Sequence, residues 1–174
     1  MDSESLKLST SEWPESGFPG IKVNPLTRRV EVVDEDMCDR ALAASDRPAD
    51  KVFVLMTRGK ISEAAEILAE ARFHEPESFD LLLLDAELLY VSGRFERSVE
   101  RLKFLLAEYQ GQEQEAYIRQ HLGNTYFGLG DYARAVDCFE KALDLRVAVS
   151  ADAALIYSST IALHQARISL DEAS

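Results

Sequence analysis

The sequence has few of the features that identify enzymes and metalloproteins. Its only cysteines, Cys38 and Cys138, are far apart and form neither a disulfide framework nor the CxxC spacing of a zinc or redox site. The histidines, His74, His121 and His164, are not grouped with other ligands at metal-binding spacing. The GxSxG, P-loop and GxGxxG motifs are also missing. We therefore expect no metal, no cofactor and no enzymatic activity, and we keep an enzyme subunit only as a remote alternative.

Positive charge is scarce as well. The chain has 31 acidic and 19 basic residues, which give a formal net charge of -12. The basic residues are scattered, and Arg28 and Arg29 form the only tight pair. Nucleic acids and anionic membranes are bound through clustered lysines and arginines. We therefore expect neither as a partner. The acidic excess indicates a well-solvated surface or, alternatively, a field that selects a basic partner.

Long apolar runs are missing too, although 47% of the residues are hydrophobic, enough to form a core. The most apolar stretch, Leu81 to Val91, is broken by Asp85 and Glu87 and is shorter than the roughly 20 residues that cross a bilayer. The N-terminal sequence MDSESLKLSTSEWPESG lacks the basic start and the apolar run of a signal peptide. We therefore predict a cytoplasmic protein without a membrane span.

What the sequence does contain is a recurring pattern of small and large residues. Its clearest copy is YIRQHLGNTYFGLGDYARAVDCFEKALDL, residues 117–145. Small residues at Gly123 and Ala135 let two helices approach closely, and large residues fill the space between them. Gly130 marks the end of the first helix, because glycine takes a left-handed turn at low cost, and Asp131 can cap the second. The large residues of the pattern are Leu122, Tyr126, Tyr132 and Phe139.

This pattern resembles the tetratricopeptide repeat, a helix-turn-helix unit of about 34 residues. Residues 45–149 contain three such units, at 45–78, 79–115 and 116–149. In the second unit Ala86 replaces the packing glycine, and Asp85 stands where the family prefers leucine. The resemblance implies an all-α fold, an α-solenoid of helix-turn-helix repeats. The apolar residues after the glycine of each unit recur with the 3.6-residue period of a helix, which agrees with it.

The ends of the chain differ from the repeats. Residues 1–20 are rich in Ser, Glu, Pro and Gly and predict a flexible tail. Residues 21–44 predict a short β-hairpin followed by a lead-in helix with Asp34 as its N-cap. We hypothesise that residues 12–33 fold back on the array and cover part of its groove, because a two-stranded hairpin is marginally stable alone. Residues 150–174 predict a helix that caps the last unit, or alternatively leaves a face open for a second copy or a partner.

The resemblance also implies a function. In tetratricopeptide proteins the first helices of successive units line a concave groove that binds a peptide or helix of another protein. The family's carboxylate clamp of Lys and Arg is not expected here, because Ala49, Leu83 and Gln120 stand at its positions. We therefore expect a protein-binding adaptor or scaffold. The alternative is a homodimeric assembly or secretion-chaperone-like protein that uses exposed helix faces. The expected groove residues are Phe53, Met56, Leu83, Glu87, Tyr90, Tyr117, Gln120, Asn124 and Phe127.

Overall fold

The structure, a computed structural model, describes residues 6–174; the first five residues of the predicted tail lie outside the described residues. A short 3-10 helix at Thr10–Glu12 is followed by a β-hairpin of β1 (Ile21–Val23) and β2 (Val30–Val32). Eight α-helices make up the remainder. They are α1 (Glu35–Ala43), α2 (Pro48–Thr57), α3 (Ile61–His74), α4 (Phe79–Val91), α5 (Phe95–Tyr109), α6 (Glu115–Gly128), α7 (Tyr132–Ala148) and α8 (Ala153–Glu172).

Three helix pairs, α2/α3, α4/α5 and α6/α7, form the repeats, and each first helix ends in the same way. Gly59, Gly93 and Gly130 have φ angles of 78°, 75° and 76°, in the left-handed region. The residue after each glycine donates its N–H, at 2.9 Å, to the carbonyl oxygen five positions earlier, which closes the helix end. The all-helical repeat fold and the short N-terminal hairpin are therefore both confirmed.

The main core is formed by helices α4 to α8. It depends on one close approach, between α6 and α7. Gly123 of α6 packs against the ring of Phe139 of α7, which is 0% exposed. A Cβ atom at residue 123 would overlap three atoms of that ring. The small residue in the repeat pattern is thus required by the distance between α6 and α7, as the sequence pattern predicts.

Asp85, which departs from the family pattern, has a different role in the fold. Its carboxylate lies 3.0 Å from an Nη atom of Arg72 in α3 and 3.6 Å from Nε of Arg101 in α5. The acidic residue therefore links three consecutive helices through ion pairs at a half-buried position, where a leucine would fill space only. The departure does not disrupt the second unit.

The N-terminal segment packs on the first repeat. Ile21 pairs with Val32 across the hairpin, and Ile21 is 0% exposed. Phe18 and Ile21 form a cluster with Cys38 of α1 and Val54 of α2. Residues 6–20, predicted as part of a flexible tail, thus include a side chain anchored in a hydrophobic cluster. The stretch contains apolar residues among its Ser and Glu residues, and burial of these residues favours a fixed position.

Two further helices, α1 and α8, flank the repeats. The Asp34 side chain accepts a hydrogen bond of 2.9 Å from the backbone N–H of Met37 at the start of α1. At the other end, α8 packs along α7 and contributes Ala162, Leu163 and Ala166 to the main core. The polar Ser159 of α8 is also 0% exposed. No helix within residues 6–174 is both long enough and apolar enough to cross a membrane.

The Gly123→Ala substitution tests the close approach of α6 and α7. An alanine usually stabilises a helix relative to glycine, but here its methyl group would push against the Phe139 ring. We expect the free energy of unfolding to fall by about 1–3 kcal/mol, measured by chemical denaturation. Phe139→Leu in the same chain should recover part of the loss, as a double-mutant cycle would detect. A more stable Gly123→Ala protein would contradict the packing described here.

Candidate functional site

The inner surface of the array is formed by the first helices of the three units, α2, α4 and α6. Eight of the nine predicted groove residues line hollows on this surface. Phe127 does not lie with them: its ring contacts that of Tyr132, with centroids 5.1 Å apart. Phe127 is in the last turn of α6, where the helix meets the start of α7, so its side chain joins the contact between those two helices. The eight are Phe53, Met56, Leu83, Glu87, Tyr90, Tyr117, Gln120 and Asn124.

Residues 12–33 lie against this inner surface. Arg28, in the turn between β1 and β2, is 2% exposed, and its Nε donates a hydrogen bond of 3.2 Å to Oδ1 of Asn124. Its guanidinium lies over the Phe139 ring, 5.5 Å from the centroid. The Tyr90 hydroxyl donates to the Arg28 carbonyl oxygen at 3.5 Å. Asn124, an expected groove residue, thus accepts from a side chain of the same polypeptide.

Arg28 adopts an unusual backbone conformation. Its φ angle is 60°, in the left-handed region that a side chain with a Cβ atom seldom occupies. A residue held there costs on the order of 1–3 kcal/mol. The conformation is fixed by the turn, in which the Arg28 N–H donates to the Asn24 carbonyl and the Asn24 N–H donates to the Arg29 carbonyl, both at 2.8 Å. The strained turn directs Arg28 into the array and leaves Arg29 exposed.

A cavity of about 450 Å³, which we call the central cavity, lies between the hairpin, the three first helices and α8. Its wall combines apolar and polar side chains from distant parts of the sequence. Its lining includes Arg28, Phe53, Met56, Glu87, Tyr90, Val91, Tyr117, Gln120, His121, Arg146 and Leu155.

Two arginines of the central cavity are almost fully buried. Arg146, at the end of α7, is 4% exposed and donates through Nη1 to the Leu155 carbonyl and to Oγ of Ser159, at 3.1 and 2.8 Å. The Ser159 hydroxyl donates in turn to Oε1 of Gln120 at 2.8 Å. Burial lowers the pKa of Arg28 to about 10 and also lowers the pKa of Arg146. Both groups keep their positive charge at neutral pH.

Glu87 of α4 and His121 of α6 lie next to each other in the wall of the cavity. Oε1 of Glu87 lies 3.0 Å from Nε2 of His121. Burial raises the pKa of Glu87 to about 8. Burial, followed by the positive charge of Arg146, lowers the pKa of His121 to about 4. The two groups therefore form a hydrogen-bonded pair in which both are neutral near pH 7, so the pair adds no net charge to the cavity.

Next to the central cavity the inner surface is open, and we call this part the groove mouth. It consists of two adjoining hollows of about 290 and 620 Å³. Tyr117 lines both of them and the central cavity as well, and it is 41% exposed. Val149, just after α7, is 76% exposed. The mouth is apolar in its centre, and its rim carries acidic side chains together with Arg47, which pairs with Asp80 at 3.2 Å. The residues that line the mouth include Phe53, Phe79, Asp80, Leu83, Glu113, Tyr117, Val149 and Leu155.

Sequence reasoning missed the cationic part of this surface. Arg28 and Arg146 come from outside the first helices, where the family's groove positions are counted. The pairing of Arg28 with Arg29 was the only local signal, and Arg146 offered none, because its place depends on the packing of α8. Within residues 6–174 there is no group of three His, Cys, Asp or Glu side chains that could hold a metal ion.

Glu87→Gln tests whether the pair with His121 is neutral. With a pKa of about 8 instead of the ordinary 4.5, folded Glu87 keeps a proton that the unfolded chain loses between these pH values. The stability of wild type relative to the variant is therefore fully present below about pH 4.5 and falls as the pH rises towards 8, by at most about 1.4 kcal/mol per pH unit. Chemical denaturation of both proteins across this range measures the difference.

The low pKa of His121 does not disturb this comparison. Its causes, burial and then the charge of Arg146, are both retained in the variant. If the difference in stability stayed constant between about pH 5 and about pH 6.5, Glu87 would already be ionised there. That result would replace the neutral pair with an ion pair.

Comparison with known protein families agrees with this geometry. Two sequence models, each described as tetratricopeptide repeat, match the chain, one at residues 54–116 and the other at residues 116–146. No curated protein and no solved structure matches it. Proteins of this family are typically adaptors without enzymatic activity. The matched ranges contain α3 to α6, nearly all of α7 and the last turn of α2. The chain therefore belongs to the tetratricopeptide repeat family.

Proposed function

We propose that this protein is an adaptor that binds a segment of another protein in the groove mouth. The observation that carries the proposal is a continuous open surface on which Leu83, Tyr117 and the 76% exposed Val149 line adjoining hollows. Contiguous exposed apolar surface rimmed by polar residues is typical of an interaction site. The mouth lies beside the hairpin, so a partner can enter it while residues 12–33 remain in place.

The chemistry of the mouth indicates the kind of segment that fits. Its floor is lined by aromatic and aliphatic side chains, which suits the apolar face of an amphipathic helix or of an extended peptide. Its rim carries Glu113 and an Asp80 that is paired with Arg47, and the whole chain has a net charge of -12. A partner segment with two or three apolar side chains flanked by lysine or arginine would match both features.

Site-specific cross-linking can identify the partner and the surface together. A photoreactive amino acid at Leu83 should capture the same protein as one at Tyr117, because both positions face the mouth. The control position is Phe104, which is 73% exposed and lies on the second helix of its unit. Capture of the same protein with equal yield at Phe104 would place the contact elsewhere.

Two neighbouring valines then test the mouth with the purified partner. Val149→Asp puts a charge into the mouth, whereas Val147→Asp puts the same charge on an exposed side chain, 55% exposed, at the end of the same helix. We expect Val149→Asp to weaken binding about tenfold or more, because a carboxylate would have to lose its hydration in an apolar contact. Val147→Asp should change it by less than about twofold. Equal losses in isothermal titration would contradict the proposed surface.

A homodimer is the alternative, and two exposed aromatic residues favour it. Phe73 of α3 and Phe104 of α5 are 82% and 73% exposed. If they formed a dimer interface, light scattering would give a mass that rises with protein concentration, and Phe104→Ser would abolish the rise. A mass of 19.5 kDa, independent of concentration, would exclude this alternative.

A further inference from the structure

The central cavity contains buried positive charge. Arg28 and Arg146 line it and are 2% and 4% exposed, and neither is within ion-pair distance of a described carboxylate. Buried charges in proteins are normally paired, because an uncompensated charge removed from water is strongly unfavourable. Two buried guanidinium groups in the wall of one cavity therefore favour the binding of an anion there.

Several of the polar groups in this wall also lack a hydrogen-bond partner. Nη1 of Arg28, Nε of Arg146 and Nε2 of Gln120 are buried donors with no acceptor among the described residues. Gln120 is 6% exposed. Buried donors in folded proteins are satisfied in the large majority of cases. Three unsatisfied donors, from the hairpin, α7 and α6, thus belong to residues that line one cavity.

The carboxylates near the cavity do not neutralise the two arginines. Glu87 is held in a hydrogen bond with His121, and burial keeps its pKa well above the ordinary value. Glu15 is exposed at the rim and lies 3.3 Å from Nζ of Lys22. Asp152 is likewise exposed at the rim, just before α8. The interior of the cavity is therefore positive, although the surrounding chain is strongly acidic.

The remaining wall is apolar. Phe53, Met56, Tyr90, Val91 and Leu155 line the cavity, and its volume of about 450 Å³ lies in the range of small-molecule sites. The hairpin covers the cavity on one side, which excludes a long peptide but leaves space for a compact molecule. A few fixed polar groups in a largely apolar hollow are typical of such sites.

We propose that the central cavity is a binding site for a small organic carboxylate. Arg28 and Arg146 supply the positive charge that attracts the carboxylate group, and the apolar body of the ligand lies against Phe53 and Met56. Guanidinium groups suit this ligand because their N–H donors match the two oxygens of a carboxylate. The site adjoins the groove mouth and shares Phe53, Arg146 and Leu155 with it. The proposal does not depend on the partner-binding function, because its ligand is a small molecule and not a protein segment.

Phenylpropionate and its neutral amide, phenylpropionamide, test the proposal on the wild-type protein. The two probes have nearly the same shape and differ in charge. We expect the carboxylate to bind about ten- to a hundredfold more tightly than the amide in isothermal titration, the ratio that follows from charge-assisted hydrogen bonds. We also expect it to raise the midpoint of thermal unfolding. Equal affinities, or no binding of the carboxylate, would overturn the proposal.

Inorganic phosphate distinguishes an organic carboxylate from a free mineral anion. At equal ionic strength we expect phosphate to bind more weakly than phenylpropionate, because it cannot fill the apolar part of the cavity. Tighter binding of phosphate would overturn the assignment to an organic ligand.

Arg28→Gln removes one positive charge from the cavity and should weaken phenylpropionate binding about tenfold or more. The affinity for the amide should stay within about threefold of wild type. The control is Arg97→Gln, an exposed position on α5, which should leave both affinities unchanged.

If Arg28→Gln also displaced the hairpin, the amide affinity would fall with that of the carboxylate. The comparison of the two probes on wild type would then decide, and Arg28→Lys, which keeps the charge, should recover part of the preference. Full retention of the preference in Arg28→Gln would overturn the role of Arg28.

Discussion

The shape of the inner surface depends on the insertion of Arg28 into the array. The hydrogen bond from Arg28 to Asn124 joins the hairpin turn to the first helix of the last unit. The guanidinium also lies over Phe139, the residue against which Gly123 packs. One side chain therefore contacts the helix pair on which the main core is built. The hairpin segment thus covers the central cavity on one side, while the adjoining groove mouth stays open.

The position of Arg28 costs free energy, and hydrophobic burial elsewhere in the segment offsets that cost. Its left-handed backbone and its desolvated charge both cost free energy. The hydrophobic cluster of Phe18, Ile21, Cys38 and Val54 fixes the rest of the segment against α1 and α2. Burial of these side chains offsets the cost, so the strain persists in the folded protein. A strained, buried and charged residue is uncommon in a region that only covers a core. Such residues are typical of functional sites.

The parts of the fold that the sequence predicts are those that depend on local chemistry. Gly59, Gly93 and Gly130 end helices because they adopt the left-handed conformation, and Asp34 caps α1 because its oxygen reaches the Met37 N–H. Each of these effects involves residues a few positions apart. The helical period likewise places Tyr117, Gln120 and Asn124 on one surface of α6. Eight of the nine groove residues lie on the inner surface for this reason, and Phe127 differs because the last turn of α6 packs on α7.

The cationic cavity could not be predicted in this way, because it depends on contacts between distant residues. Arg28 and Asn124 are 96 positions apart, and Arg146 reaches the cavity wall only because α8 packs back on α7. Composition was also misleading. A net charge of -12 describes the sum over an exposed surface, where each carboxylate is hydrated and screened. Within the cavity, the contribution of a charge to the electrostatic potential depends on its burial and on its immediate neighbours. Two arginines away from water therefore determine the local potential, even in a strongly acidic chain.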